Sequence, residues 1–267
     1  MSENNVLTEQ KWDHIRVEKN EEQQTATIIL DRPEKMNTVS YIARAHFNEI
    51  FHRLNQDEDV RVIIIKGAGD KAFTSGGTIK QFLDRHPEEL SVLHENVAAP
   101  ERSPKPVIAQ LQGYTFGVGL EMAMACDFRV AADNTKLGLP EMNLGMIPGS
   151  GGTQRIAKIA GVGRAKDMIM RARRIGAEEA KEWGLLTEVV PHSELDQAVN
   201  NLVEELVRFS PLAQRVSKRI LNSSQDTPLS TGLELEGYAY GMLRSTDDFR
   251  EGVNAFYDKR KADFTGK

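Results

Sequence analysis

The sequence predicts one α/β domain whose last third is helical. Three observations predict it. Apolar runs of strand length come early, at 25–30, 61–66 and 106–111. From Gly152 onward, apolar residues recur mostly at helical spacing. No sequence repeat, low-complexity tract or clear linker divides the chain.

The early elements follow in order. Thr25 to Leu30 is a compact strand that ends at the turn signal Asp31-Arg32-Pro33. Ser40 is placed to cap a helix, and Ala43, Phe47, Ile50, Phe51 and Leu54 repeat behind it at helical spacing. The run Val62 to Ile65 has no alternation, so it predicts a strand covered on both faces. Residues 67–70 then turn the chain. Residues 106–111 form the next buried strand, and 112–117 read as a loop. A helix begins near Val118 and runs through Met124, and 128–132 is another strand.

Helices are expected at 153–159, 164–171, 177–182, 194–208 and 211–221, with one long segment from Pro228. A short strand at 187–190 interrupts them. In the last segment Leu229, Leu233, Leu235, Tyr238, Tyr240 and Met242 are too numerous for one exposed face. They pack on the chain's own core or on another subunit, and the sequence alone leaves both open. The polar start, 1–10, is expected to be frayed.

Composition narrows the function. The chain has 267 residues, is 40% hydrophobic and carries a formal net charge of −5. A core of useful size is available, and a general nucleic-acid surface is disfavoured. The single Cys126 excludes an internal disulfide and reads as a small buried apolar residue. No uncharged run approaches the ~20 residues of a membrane span. The start is acidic and lacks the arginines of an organelle-targeting segment. A cytoplasmic protein that binds neither nucleic acid nor membrane is expected. The six histidines, at 14, 46, 52, 86, 94 and 192, lie outside the glycine turns and show no metal spacing, so no metal is expected.

The chemistry concentrates at two glutamates beside glycine-rich turns. Glu121 ends the segment Phe116-Gly117-Val118-Gly119-Leu120-Glu121. Its neighbours Leu120, Met122, Ala123, Met124 and Ala125 are apolar, so its carboxyl group must be satisfied, protonated or functional. An inward ion pair with an arginine is the structural alternative. Glu141 follows Pro140 and precedes the turn Gly149-Ser150-Gly151-Gly152. Taken alone, it reads as a first-turn helix acid. Two carboxylates with exposed backbone N–H groups can move protons and stabilise an oxyanion. Residues 71–78 add a third glycine turn, which alone reads as ordinary. Residues 149–152 lack the surroundings of a P-loop. Asp127 reads as a turn hydrogen-bonder. The cluster Lys259-Arg260-Lys261 is solvated or meets a ligand phosphate.

These residues resemble the crotonase superfamily, and within it the enoyl-CoA hydratases. The resemblance runs from about Asp31 to Phe264. Its most specific parts are 72–76, 113–127 and 140–155. It implies repeated ββα units wound into a spiral over residues 11–200. It also implies a C-terminal helical region, 201–267, that assembles trimers, commonly paired into hexamers. The oxyanion hole would be the N–H groups of Gly77 and Val118. The glutamate pair falls on Glu121 and Glu141, and Gly149 would lend its N–H to the catalytic water. Lys35, Met36, Ser75 and Ile79 fall where family members meet CoA. Tyr240, Phe256 and Lys259 match positions that reach CoA, often from a neighbouring subunit. CoA is part of the substrate, and no separate cofactor is implied.

The chain departs from the family pattern in two places. Gly76-Gly77-Thr78 stands where Gly-Ala-Asp is common. Gly117-Val118-Gly119 stands where three glycines are common. A backbone donor tolerates both changes. Phe116, Val118 and Thr78 are expected to shorten the acyl pocket and remove an acid from it. The length, the glutamate positions and the Gly76-Gly77-Thr78 sequence together are similar to the methylthioacryloyl-CoA hydratases. The implied reaction is addition of water to a short enoyl-CoA, with Glu121 as base and Glu141 as acid, roles that could exchange. With a β-thioether, the hydrated product would expel a thiol, and thioester hydrolysis could follow. Closeness of the two acids is expected to raise one pKa. Rival readings are double-bond isomerisation or CoA-thioester hydrolysis on the same scaffold, and an RNA-binding relative.

Overall fold

The computed structural model describes residues 12–267, so the expectation for 1–10 and the first residue of the 11–200 region lie outside the described residues. Among the described residues, ten strands form two sheets. The larger has six strands in the order β1-β2-β3-β5-β7-β10. These are β1 (Ile15–Asn20), β2 (Thr25–Leu30), β3 (Val62–Gly67), β5 (Val107–Leu111), β7 (Phe128–Ala132) and β10 (Glu188–Val190). All pairs are parallel except β1 with β2. The smaller sheet has the order β4-β6-β8-β9, formed by β4 (Ala72–Thr74), β6 (Tyr114–Phe116), β8 (Lys136–Gly138) and β9 (Arg174–Gly176).

The chain alternates between the sheets. β3, β5 and β7 each enter the large sheet, and β4, β6 and β8 follow in the small one. Helical segments return the chain after β4 and β6, whereas after β8 they lead to β9 of the small sheet before β10 rejoins the large one. The fold is therefore a spiral of ββα units, although the sequence shows no repeat. Parallel neighbours need such crossovers, because a tight turn cannot join them.

The apolar run of β3 is covered on both faces. Ile63 and Ile65 join the main core with Phe47, Phe51 and Leu54 of the helix Tyr41–Gln56. Val62 and Ile64 face the other way, onto Leu195, Val199 and Val203 of the helix Leu195–Val207. Ser40 caps the first of these helices, accepting from the Ala43 N–H.

Several expectations are corrected. Residues 112–117 are not a loop, because they contain β6. The short strands β4, β8 and β9 were not anticipated, since three residues are too few to show alternation. β1 was also missed, although Ile15 and Val17 alternate with exposed neighbours. The segment from Pro228 is two helices, Leu229–Leu243 and Asp247–Asp258. Thr246 starts the second by accepting from the Phe249 N–H.

Lys218 ties a C-terminal helix to the core through three part-buried polar contacts. Lys218, on the helix Pro211–Ser223, reaches Asp127 at 2.7 Å and also donates to the carbonyls of Pro100 and Lys105. Asp127 also accepts from the Val107 N–H. It is thus a structural acid, as its turn position suggested. Cys126 is buried, and burial pushes its thiol up to about 12, which keeps it inert.

Candidate active site

The small sheet builds the site. β4, β6 and β8 are parallel neighbours, so their carboxyl ends lie side by side. Gly76-Gly77 follows β4, Gly117-Val118 follows β6, and Glu141 follows β8. The Gly117 N–H donates to the Gly138 carbonyl at 3.0 Å, and the Val39 N–H donates to the Gly76 carbonyl at 2.9 Å. Those bonds fix the turns and leave other donors free. Among the described residues, neither the Gly77 N–H nor the Val118 N–H has a backbone partner outside regular secondary structure.

Glycine is required here by close approach. Gly117 has φ of 54°, and a Cβ on it would lie 3.0 Å from Glu141 Oε1. Glycine at 119 lets the helix Val118–Met124 sit on β4, because a Cβ there would fall 2.3 Å from Thr74 Cγ2.

Glu121 lies on that seven-residue helix and is only 2% exposed. Its Oε1 accepts from the Ser150 N–H at 2.7 Å and from the Gly152 N–H at 3.0 Å. The glycine turn 149–152 therefore holds the carboxylate, and a Cβ on Gly152 would come within 3.1 Å of Glu121 Cγ. Among the described residues, Glu121 forms no ion pair with an arginine, the structural alternative. Burial raises the Glu121 pKa, while the two N–H bonds and the charge of Arg44 oppose that rise.

Glu141 opens the short 3-10 helix Pro140–Leu144, the first-turn position expected of it. Its Oε2 is buried without a hydrogen-bond partner. Burial and, less strongly, the nearby Glu121 raise its pKa to about 7. Both acids are thus raised, chiefly by burial, and the closeness of the pair adds to the rise at Glu141. Beyond Glu141, Met142, Leu144, Met146 and Ile147 expose apolar side chains, as do Ile79 and Leu83 on the other segment. Gly149 faces open space, with nothing within 4 Å of where its Cβ would lie.

The predicted CoA residues fall into two groups. Ser75 donates its N–H to the Met36 carbonyl at 2.9 Å, so Lys35, Met36, Ser75, Gly77 and Ile79 border one region beside the glutamates. Asn37 holds that loop, donating to the carbonyls of Ala68 and Ala72. Tyr240, Phe256 and Lys259 lie on the last two helices or just beyond. Among the described residues, no hydrogen bond, ion pair or ring contact joins them to the glutamates or to Lys35, Met36, Ser75, Gly77 or Ile79. The Phe116 ring packs against Tyr114 at 5.3 Å and Arg174 at 4.9 Å.

Two site residues were missed. Arg44 is 4% exposed and donates to Ser150 Oγ at 3.3 Å. Phe82 lies beneath its guanidinium at 5.1 Å. The signal for Arg44 was present, since it occupies a position in register with Phe47, Phe51 and Leu54.

Among the described residues, no group of His, Cys, Asp and Glu could hold a metal ion. No helix among them is long and apolar enough to cross a membrane. The family model described as enoyl-CoA hydratase/isomerase matches residues 20–267. The chain belongs to the enoyl-CoA hydratase/isomerase family. A crotonyl-CoA hydratase of Syntrophomonas wolfei is 36% identical over 260 residues, covering 96% of this chain and 99% of the relative. A short-chain-enoyl-CoA hydratase of Clostridium acetobutylicum is 34% identical, covering 90% of this chain and 94% of the relative. The crystal structure of an enoyl-CoA hydratase from Bacillus anthracis superposes with a TM-score of 0.90 at 36% identity, covering 96% and 100% of the two chains. The ββα spiral is thus the crotonase fold of this family.

The raised Glu141 pKa has a consequence for stability. A carboxyl whose folded pKa lies above its unfolded value stabilises the fold below the unfolded pKa. That stabilisation is lost as pH rises toward about 7. Glu141→Gln should therefore gain stability relative to the parent between pH 5 and pH 8. Denaturant melts at the two pH values check this, and an unchanged difference refutes it.

Proposed function

We propose that the protein hydrates the α,β double bond of a short enoyl-CoA thioester. One observation carries this reading. Glu121 and Glu141, twenty residues apart in sequence, meet beside the free N–H groups of Gly77 and Val118. Those N–H groups serve as an oxyanion hole for the thioester oxygen, which gains negative charge as water attacks. Glu121 takes a proton from the water as its oxygen bonds to Cβ. Glu141 gives its proton to Cα. The N–H bonds from Ser150 and Gly152 favour an ionised Glu121. The unpartnered Oε2 and raised pKa of Glu141 favour its protonated form. Gly149 faces the open side and orients the water through its N–H. The proton then returns between the two acids.

CoA needs no separate cofactor in this reading. Lys35, Met36, Ser75 and Ile79 border its site within the chain. Tyr240, Phe256 and Lys259 contribute from a neighbouring copy. Tyr240 and Phe256 are 74% and 79% exposed, as a residue completing another subunit's site would be in a single chain. No residue of the helix Leu229–Leu243 is buried, although Leu229, Leu233, Tyr238 and Met242 are large and apolar. This surface supports a homotrimer, paired into a hexamer, with 201–267 as the assembling region. The compartment proposed is the cytoplasm. Neither nucleic acid nor membrane is a partner.

The proposed acyl group is short, and methylthioacryloyl-CoA is the specific candidate. Val118 stands where the family often has glycine, and Thr78 where it often has aspartate. Hydration of a β-thioether forms a hemithioacetal. Its collapse expels methanethiol and leaves an aldehyde, which thioester hydrolysis could follow.

Glu121→Gln and Glu141→Gln should each cut crotonyl-CoA hydration by on the order of 100- to 10,000-fold while CoA binding survives. Near-normal turnover in either variant removes that residue from the mechanism. Turnover of crotonyl-CoA to an isomer or to free CoA, without hydration, favours the isomerase or hydrolase reading.

Methylthioacryloyl-CoA should yield methanethiol, distinguished from free CoA by mass. Efficient hydration of long enoyl chains with no methanethiol moves the substrate to ordinary fatty acyl groups. For assembly, light scattering at micromolar concentration should give a trimer or hexamer. A fully active monomer overturns the shared-site reading.

A further inference from the structure

Arg44 is unusual as a buried charge. It occupies an apolar position of the helix Tyr41–Gln56, yet it makes no ion pair among the described residues. Its Nη1 has only the long contact to Ser150 Oγ at 3.3 Å. Its Nε is buried with no partner at all. Burying a guanidinium this way is unfavourable unless negative charge compensates it. Glu121 and Glu141 are the two acids whose charge acts on it.

The glycine at 77 leaves room for the end of this side chain in its present position. A Cβ on Gly77 would lie 2.7 Å from Arg44 Nη2 and 3.7 Å from Phe82 Cζ. The departure from Gly-Ala-Asp at this turn and the arginine at 44 thus lie side by side. The guanidinium is also linked to the pair through Ser150. Arg44 holds the Ser150 hydroxyl, and the Ser150 N–H holds Glu121 Oε1 at 2.7 Å.

We propose that Arg44 is a positioning residue for the glutamate pair: its positive charge, lying where a side chain at 77 would reach, keeps the pair sharing one proton. This rests on the hydratase reading, which needs one acid ionised and one protonated. The charged groups facing the pair are few. Besides each other, Glu121 and Glu141 feel Arg44. On the helix Gly152–Ala160, Arg155 turns instead to the Ser150 carbonyl and to Glu101. Lys80, on the 3-10 segment that carries Phe82, is exposed. The residues of the helix Val118–Met124 add no other charge.

The sign follows from the charge. A nearby cation favours ionised carboxylates, so removing it makes both protons of the pair harder to lose. In Arg44→Met, which suits the apolar position in shape, both limbs of the pH–rate profile for crotonyl-CoA should move to higher pH by on the order of one unit. Arg44→Lys should move them less. Gly77→Ala keeps the backbone N–H but collides with the guanidinium. Its loss of activity should be about tenfold smaller in the Arg44→Met background. A lower rate with unmoved limbs, or additive losses in the double variant, overturns the proposal. If the parent hydrates no enoyl-CoA, the hydratase reading itself falls. Titration of the glutamate carboxyl carbons by NMR then decides Arg44 separately, and an unshifted pair in Arg44→Met overturns its role.

Discussion

The parallel pairing of β4, β6 and β8 is the constraint on which the site depends. Each strand is three residues long, and each is followed closely by a residue proposed for the chemistry. Parallel strands end on the same side, so Gly77, Val118 and Glu141 arrive together without any local sequence connection. The large sheet supplies the rigidity. Its central strand β3 is apolar on both faces and is clamped between two helical layers. Short strands alone are marginal, and this packing is what lets them hold a geometry.

The electrostatics of the site arise from the same packing. Glu121 sits in an apolar helix and keeps its carboxylate in hydrogen bonds because the 149–152 turn aims two N–H groups at one oxygen. Glu141 is less enclosed and lacks such donors on Oε2. Burial raises the pKa of both acids, and the N–H groups of Ser150 and Gly152 oppose that rise at Glu121. Arg44 adds its charge from a third element, the helix Tyr41–Gln56, with its guanidinium end lying where a side chain at 77 would reach.

Much of the fold was legible. Thr25–Leu30, Val118–Met124, Phe128–Ala132 and Ala177–Glu182 are where periodicity places them. These elements are long enough, or apolar enough, for local pattern to dominate. The small sheet was invisible for the opposite reason. Tyr114–Phe116 sits between glycines and is stabilised by neighbours far away in sequence, so it reads as a loop. The break at 244–246 was hidden because helical spacing continues on both sides of Thr246.

By itself, the sequence determined which groups could do chemistry. It marked Glu121 and Glu141 by placing acids beside glycine turns, and it marked the turns by their composition. It also determined the strands and helices whose apolar spacing is self-sufficient. Only the tertiary structure decided that Arg44 belongs to the site. Its register with Phe47, Phe51 and Leu54 marks it as inward-facing, but nothing local says that a carboxylate pair lies there. Tertiary packing likewise left Tyr240, Phe256 and the faces of Leu229–Leu243 outside the single chain's core. Apolar content predicts that a surface must be covered, but the covering partner is set by shapes that form only when the whole chain has folded.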